Sequence, residues 1–400
     1  MDKKLEELLT RGVQEIVVEK DLQKKLESGR KLRIKHGVDP TTKDLHLGHA
    51  VIYEKLRQFQ ELGHKIVFLI GGFTGRFGDP SDKTKTRMMR DKKEVSTLAK
   101  NYLVQVGKII NLEKAEVRDN SEWYDKMSAE NLLRLMSEFT ALRMLERDMF
   151  QKRIKAGEKI GLHELVYPIL QGYDSVMLKA DLTIIGADQK FNELQARPLQ
   201  EKNRQAPQDL IMMPLLIGTD GEQKMSQSLG NDISISEHPY QQYGKIMSIT
   251  DEQIIPYFTL VTREPLSEIK EMEKEMKRGK LNPRDAKAML ARAIVTICHS
   301  TGDAQNAESE FNRVYRDKES PSVIVSVSLS PDQKELTLLE LVKIYKFFPS
   351  NSECRRKILE GAIKIDGVKK TDPKEIIKLQ EGMIVQGGKR FERVGFRNKL

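Results

Sequence analysis

Short apolar runs alternate with longer stretches of helical spacing through the first half of the chain. Arg33–Val38, Ile66–Gly72 and Leu182–Gly186 are each rich in Ile and Val and closed by Gly or Asp. Runs of this length and composition predict buried strands. Between the first two, Val51, Ile52, Leu56, Phe59 and Leu62 recur on one helical face, so His46–Leu62 is expected to be an amphipathic helix. Strand, helix, strand, helix implies an α/β fold, a parallel sheet with helices on both sides. Such sheets bind ligands beyond the carboxyl ends of their strands, and there this sequence places its Gly, Asp and His residues.

From about residue 231 the strand signal fades. Leu281, Ala286, Ala288, Met289, Leu290, Ala293, Ile294 and Ile297 carry helical spacing inside a Glu- and Lys-rich stretch over 266–315. Residues 318–331 have Ser and Pro at both ends and no helical period, which predicts a linker able to pair one short strand. Beyond it come an expected helix over Leu336–Phe347, a second near Ser352–Glu360, and short strands with turns at Asp366-Gly367 and Gly387-Gly388. The expected division is a Rossmann-like α/β domain (1–230), a helical domain (231–317), a linker (318–335) and a small α+β domain (336–400). No internal repeat or low-complexity tract interrupts it.

Composition narrows the setting. The 400 residues suit two or three domains. Two cysteines, Cys298 and Cys354, exclude a disulfide scaffold and a cysteine-based zinc site and fit a reducing compartment. No run approaches the length of a membrane span, and the start lacks the apolar region of a signal peptide, so a cytoplasmic protein without a membrane partner is expected. Of the net charge of +9, residues 336–400 hold +7, from 15 Lys and Arg against 8 Asp and Glu. That asymmetry points to a polyanion bound at this end, the bland alternative being a merely soluble basic surface.

Two segments carry chemistry. In Gly37–His49 a strand ends, Asp39-Pro40-Thr41 turns the chain, and a helix opens at His46 and His49 with Gly48 between. A helix start offers backbone N–H groups and the positive end of its dipole to an anion. Gly48 lets a base or ribose approach closely, and histidines three apart share one helical face. The same spacing suits a metal, but no acidic or cysteine partner follows at helical spacing; two unrelated core histidines are the other reading. In Gly218–Asn231, Gly, Asp and small polar residues surround Lys224, Gln227 and Ser228. This predicts a loop whose lysine closes on a phosphate, although alone it reads equally as a solvated loop.

Together the two segments resemble the signature motifs of class I aminoacyl-tRNA synthetases. Asp39-Pro40-Thr41, Gly78-Asp79-Pro80-Ser81, Tyr167 to Asp174 and Gly186-Ala187-Asp188-Gln189 are similar to the tyrosyl-tRNA synthetase family. The tail, with Cys354-Arg355-Arg356-Lys357, Ile363 to Gly367 and Gly387 to Phe391, resembles an S4 RNA-binding domain. The resemblance covers nearly the whole chain and is weakest over 80–160.

What it implies is activation of L-tyrosine by ATP, with Mg2+ on the phosphates and no tightly bound cofactor, then transfer to the 3′-terminal adenosine of tRNA(Tyr), by a homodimer. It assigns His46, His49 and Lys224 to catalysis, and Thr41, Gly48, Gly186, Asp188, Gln227 and Ser228 to ATP. Gly37, Asp39, Asp79, Tyr167, Gln171, Asp174 and Gln189 fall to tyrosine, with Asp174 accepting from the phenolic hydroxyl. Arg355, Arg356, Lys357, Lys389 and Arg390 fall to tRNA, and residues 231–317 to the anticodon. No protein metal site is implied.

Two positions depart from the family. Gln227 stands where the loop motif has a second lysine, which leaves Lys224, or a nearby cation such as Arg87, with that work. Lys35 stands where a tyrosine reaches the substrate hydroxyl, and alternation along a strand leaves its direction open. Two rivals remain at this point: a tryptophan-specific relative, against which Gln171 and the tail argue, and an RNA-binding protein with a degenerate synthetase domain.

Overall fold

The computed structural model describes residues 3–79, 90–315, 326–329, 334–348, 350–388 and 390–396. The chain divides into two compact units, Met1–Glu308 and Ser309–Leu400.

The first unit is built on a six-stranded sheet: β1 (Glu15–Val17), β2 (Arg33–Val38), β3 (Lys65–Ile70), β4 (Glu116–Asp119), β5 (Leu182–Gly186) and β6 (Asp209–Met213). Their order is β1-β6-β5-β2-β3-β4, parallel throughout except for β1, which runs antiparallel along β6. The chain winds outward from β2 through β3 to β4, then returns to lay β5 on the other side of β2. That reversal is a topological switch point, where doubly wound sheets open a crevice. Here β2 and β5 pair only through Ile34–Leu182 and Lys35–Thr183, so their carboxyl ends part.

All three expected strands form, with β3 ending at Ile70 instead of Gly72. Every residue from Ile66 to Ile70 is buried, as continuous apolar runs require when helices cover both faces. The expected His46–Leu62 helix spans Leu47–Glu61, with His46 and Leu62 as its caps. Its buried set includes Glu54 and Lys55 besides the apolar face, because residues beyond the sheet pack on its other side. Arg263 Nη2 reaches Glu54 at 3.1 Å, and Lys55 Nζ donates to the Leu8 carbonyl at 2.8 Å. Helices over Pro239–Met247, Ile254–Val261, Leu266–Lys277, Pro283–Cys298 and Thr301–Tyr315 complete the expected helical stretch.

In the second unit, β7 (Ser326–Leu329), β9 (Ile363–Ile365), β10 (Val368–Lys370), β12 (Ile384–Gly387) and β13 (Arg390–Phe396) form one sheet in the order β10-β9-β12-β13-β7. β8 (Glu335–Thr337) pairs with β11 (Ile376–Lys378). The expected linker strand is β7, parallel to β13. The helix expected over Leu336–Phe347 is shorter, Leu338–Ile344. Thr337 caps it by accepting from the Glu340 N–H while Glu340 returns the bond, and this capping box stops helix at a residue the β8 pairing holds extended. The helix near Ser352–Glu360 spans Asn351–Leu359. Leu338, Leu341, Val342, Ile358, Ile363, Val385 and Val394 fill the core of this unit.

Candidate active site

The parted ends of β2 and β5 open into a cavity of about 340 Å³, within the range of small-molecule sites. It is lined by Gly37, Asp39, Thr41, His46, Gly48, His49, Asp79, Tyr167, Gln171, Asp174, Gly186, Asp188, Gln189 and Lys224. Residues from six separate stretches of sequence thus meet in one place. Gln227 and Ser228 are outside that lining: the Gln227 amide donates to the Asp44 carbonyl at 2.8 Å, and Ser228 Oγ lies 2.9 Å from Ser226 Oγ.

One end is built from the start of the Leu47–Glu61 helix. His46 Nδ1 accepts from the Gly48 N–H at 3.1 Å, and His49 Nδ1 accepts from the His46 N–H at 3.3 Å. Each ring therefore satisfies a backbone donor that a helix start leaves orphaned. Because both Nδ1 atoms accept, both rings carry their proton on Nε2. Burial lowers the His46 pKa to about 4, with the Lys224 charge adding to it, and burial holds His49 well below the usual range. Both are neutral N–H donors at pH 7. Gly48 has a reason beyond ligand approach: a Cβ there would stand 2.9 Å from the His46 ring.

Lys224 and Ser226 arrive on the following loop, which is stapled in place. Leu47 N–H donates to Ile233 O and Ile235 N–H to Leu45 O, each at 2.9 Å. Asn231 Nδ2 donates to Asp220 at 2.7 Å and to the Lys224 carbonyl at 3.1 Å, while its Oδ1 accepts from the Ser226 N–H at 2.8 Å.

The other end is set by the Leu162–Leu178 helix, whose Tyr167, Gln171 and Asp174 all open on the cavity. Tyr167 donates to Asp39 at 2.9 Å. Gln171 donates to Glu193 at 2.8 Å and accepts from Asn192 at 2.9 Å. Asn192 also donates to Gln189 at 3.0 Å, and Gln189 donates to Asp79 at 2.7 Å. Asp174 is deepest, at 3% exposed, accepting from Trp123 Nε1 at 3.0 Å and Asn120 Nδ2 at 3.3 Å. Burial pushes its pKa up to about 7, against the Lys35 charge and these donors. Lys35 does turn inward, fully buried in an ion pair with Glu193 at 3.0 Å.

Several of these residues escape a sequence reading. Asn120, Trp123 and Glu193 belong to no recognisable spacing and act on partners far away in the chain, as does Thr74, which donates to Asp39 at 2.7 Å. Asn192 and Asn231 also bond near neighbours, but nothing in their spacing marks them. The tail residues lie in the second unit. Arg355 and Arg356 are exposed, Lys357 pairs with Glu360 at 2.8 Å, and Arg390 donates to the Lys346 carbonyl at 2.7 Å and stacks over Phe347. Lys389 and Arg87 fall outside the described residues. Among the described residues no cluster of His, Cys, Asp and Glu is placed to hold a metal, and no helix is long and apolar enough to cross a membrane.

Comparison with known proteins agrees with this geometry. Residues 27–316 match the family model of tRNA synthetases class I (W and Y). A tyrosine–tRNA ligase of Moorella thermoacetica is 45% identical over 387 residues, covering 96% of this chain and 93% of the relative. One from Dehalococcoides mccartyi is 43% identical over 97% of this chain and 98% of its own length. Among solved structures, a C-terminally truncated mitochondrial tyrosyl-tRNA synthetase of Coccidioides posadasii superposes with a TM-score of 0.63 at 25% identity, over 77% of this chain and 92% of that one. The tyrosyl-tRNA synthetase of Archaeoglobus fulgidus shares the fold with a TM-score of 0.60, over 76% of this chain and 98% of that one. With the model spanning the crevice and its surrounding helices, and relatives matched from end to end, the chain belongs to the class I tRNA synthetases of the tryptophan and tyrosine group.

Proposed function

We propose that the chain is a tyrosine–tRNA ligase, forming tyrosyl-adenylate from L-tyrosine and ATP and passing tyrosine to the 3′-terminal adenosine of tRNA(Tyr). The observation that carries this is Asp174, a buried carboxylate lining the cavity with the neutral donors Trp123 and Asn120 on it and the Tyr124 phenol beside it. It is an acceptor suited to a phenolic hydroxyl. Phenylalanine there would leave a buried acceptor short of a partner, which is costly. The names of the relatives support the tyrosine reading over its tryptophan rival. The intact His46, His49, Asp174 and Lys224 support an enzyme over a degenerate RNA binder.

The amino end of tyrosine falls to Asp79, Tyr167 and Gln171, with Gln189 and Asp39 holding them. Tyr167 gives its only proton to Asp39, so its oxygen offers lone pairs to an ammonium. Gly37 falls to the tyrosine side, and Thr41, Gly48, Gly186 and Asp188 to the adenosine side, with Gln227 and Ser228 in the loop beside it. The tyrosine carboxylate is already an anion and attacks the α-phosphorus in line, so no general base is required. What remains is positioning and stabilisation of charge on the departing pyrophosphate. The Nε2–H groups of His46 and His49 and the Lys224 ammonium supply donors and charge. Mg2+ enters on the ATP phosphates, where His46, His49 and Lys224 add nitrogen donors.

The reading extends to the rest of the chain: catalytic domain 1–230, anticodon-binding helices 231–317, linker 318–335 and an S4-like domain 336–400. Its tRNA contacts include Arg355, Arg356, Lys357, Lys389 and Arg390. A cytoplasmic homodimer is part of it. ATP–pyrophosphate exchange with tyrosine, tryptophan and phenylalanine tests the whole. Exchange driven by tyrosine alone is expected, and exchange driven by tryptophan would overturn the reading.

A further inference from the structure

Lys35 is a buried charge to which the mechanism above gives no part. Its Nζ donates to the Gln171 carbonyl at 3.0 Å, to Ser175 Oγ at 2.8 Å and to both Glu193 oxygens at 3.0 and 3.1 Å. An ammonium has three protons, so these acceptors occupy all of them. Glu193, equally buried, also accepts from Gln171 at 2.8 Å and from Gln208 at 3.0 Å. Lys35 therefore lines the cavity without a proton to give to what the cavity holds. What it contributes there is charge.

That charge acts on Asp174. Ser175, which Lys35 holds, is the next residue of the same helix. After burial itself, the Lys35 cation is the strongest influence on the Asp174 carboxyl, and it favours the ionised form. The other near groups are neutral: Asn120 and Trp123 as donors, Tyr124 and Tyr167 as phenols. Asp39 is the nearby like charge, linked to Asp174 through Thr74 and Asn120; Asp79 acts on Tyr167, and Glu193 is held against Lys35.

We propose that Lys35 is a specificity-determining positioning residue: paired with Glu193, it keeps Asp174 a hydrogen-bond acceptor and so selects a phenolic ring over an unsubstituted one. The proposal rests on the tyrosine reading. An ionised Asp174 beside phenylalanine is left short of a donor, whereas a protonated one is neutral and loses less. Removing the cation therefore weakens tyrosine and relaxes the penalty on phenylalanine together.

Lys35→Met alone would strand the Glu193 anion, the destabilising half of breaking a buried pair. The test is therefore the double variant Lys35→Met/Glu193→Gln, which removes both charges and leaves an amide for Gln171 and Gln208. Pyrophosphate exchange is followed from pH 5.5 to 8.5 with tyrosine, and with phenylalanine as competitor. The KM for tyrosine should rise about tenfold near pH 6.5 and return toward wild type as pH rises, with kcat changed less than about threefold. The acid limb of kcat/KM should move up by about one pH unit, and discrimination against phenylalanine should fall. A KM rise equal at every pH, with the limb unmoved, would show Lys35 to be structural only. If the double variant does not fold, Glu193→Gln decides: it keeps the cation and removes its counter-charge, so the limb should move to lower pH, and an unmoved limb overturns the proposal. Wild-type exchange that ignores tyrosine is the separate result that would sink the tyrosine reading and this proposal with it.

Discussion

Gln227 gives its side-chain amide to the backbone carbonyl of Asp44, 2.8 Å away, and so closes the loop against the segment that leads into His46. The side chain that stands in place of a second loop lysine is a clasp, directed away from the cavity, while Lys224 lines it.

The two positions should therefore respond differently. On the proposed function Lys224→Ala removes the cation assigned to the phosphates and should slow adenylate formation by roughly 10²-fold or more. Gln227→Lys places a partly exposed charge beside Asp44, worth less than about 1 kcal/mol, and should change the rate less than about fivefold. Single-turnover adenylate formation measures both. A large gain from Gln227→Lys would mean that this side chain swings into the cavity.

His46 has two tasks that one substitution can separate. His46→Asn keeps a good helix cap but removes the Nε2–H donor, so stability should hold while adenylate formation falls by roughly 10²–10³. His46→Ala should lose the rate and also about 1 kcal/mol of stability. Tyrosine affinity should be nearly unchanged in both, because Asp174, Tyr167 and Gln171 lie at the other end. Urea unfolding and equilibrium tyrosine binding check the pair. Collapse of tyrosine binding in His46→Asn would contradict the assignment.

The buried histidines also fix a pH dependence. His36 and His46 fall from 6.5 to about 4 in the folded chain, through burial first. Their pKa values are lowered by folding, so the unfolded chain takes up those protons first as pH drops. Stability is then lost between about pH 6.5 and pH 4. Asp174 works in the opposite sense, since burial raises it from 3.8 to about 7 and the folded state takes up its proton first. His36→Phe should remove one histidine from this balance. Its stability between pH 6 and 5 should fall less steeply than that of the parent, by up to about 1.4 kcal/mol per pH unit. Identical slopes in urea titrations at the two pH values would refute the linkage.

The sheet centre was legible because β3 and β5 are short, largely apolar runs and β2, though it carries Lys35 and His36, is like them closed by Gly or Asp, a pattern that local sequence alone can carry. The cavity's signature residues were legible for the same reason: each motif is a short stretch with its chemistry inside it. What supports them was not. Asn120 and Trp123 act on Asp174 from over fifty residues away, and Glu193 acts on Lys35 from further still. Whether Lys35 faced inward depended on which face of β2 looked toward the Leu162–Leu178 helix, a fact of topology. The shorter Leu338–Ile344 helix is a different case. Thr337 and Glu340 already spelled a capping box, but the apolar spacing continued through Leu336 and drew the boundary too early.

The basic tail yields the last prediction, which separates the two half-reactions. The cavity is contained in Met1–Glu308, whereas residues 336–400 carry +7 of the net charge of +9. On the proposed function, tyrosine and ATP use only the first. Strand β7 pairs with β13, so a cut at the Ser- and Pro-rich segment near residue 330 would remove one strand's partner; the cut belongs before it, after Tyr315. That truncated chain should retain tyrosine-dependent pyrophosphate exchange within about threefold while losing most tRNA charging. Each phosphate neutralised by a Lys or Arg releases counterions, so tRNA affinity of the full chain should fall steeply with salt, and the residual affinity of the truncated chain more gently. Substituting Arg355 and Arg356, both exposed on the Asn351–Leu359 helix, should reduce that slope by roughly one to two without touching exchange. Exchange and aminoacylation measured side by side at several salt concentrations decide the matter. Equal aminoacylation by the full and truncated chains at physiological salt would show that tRNA is anchored elsewhere.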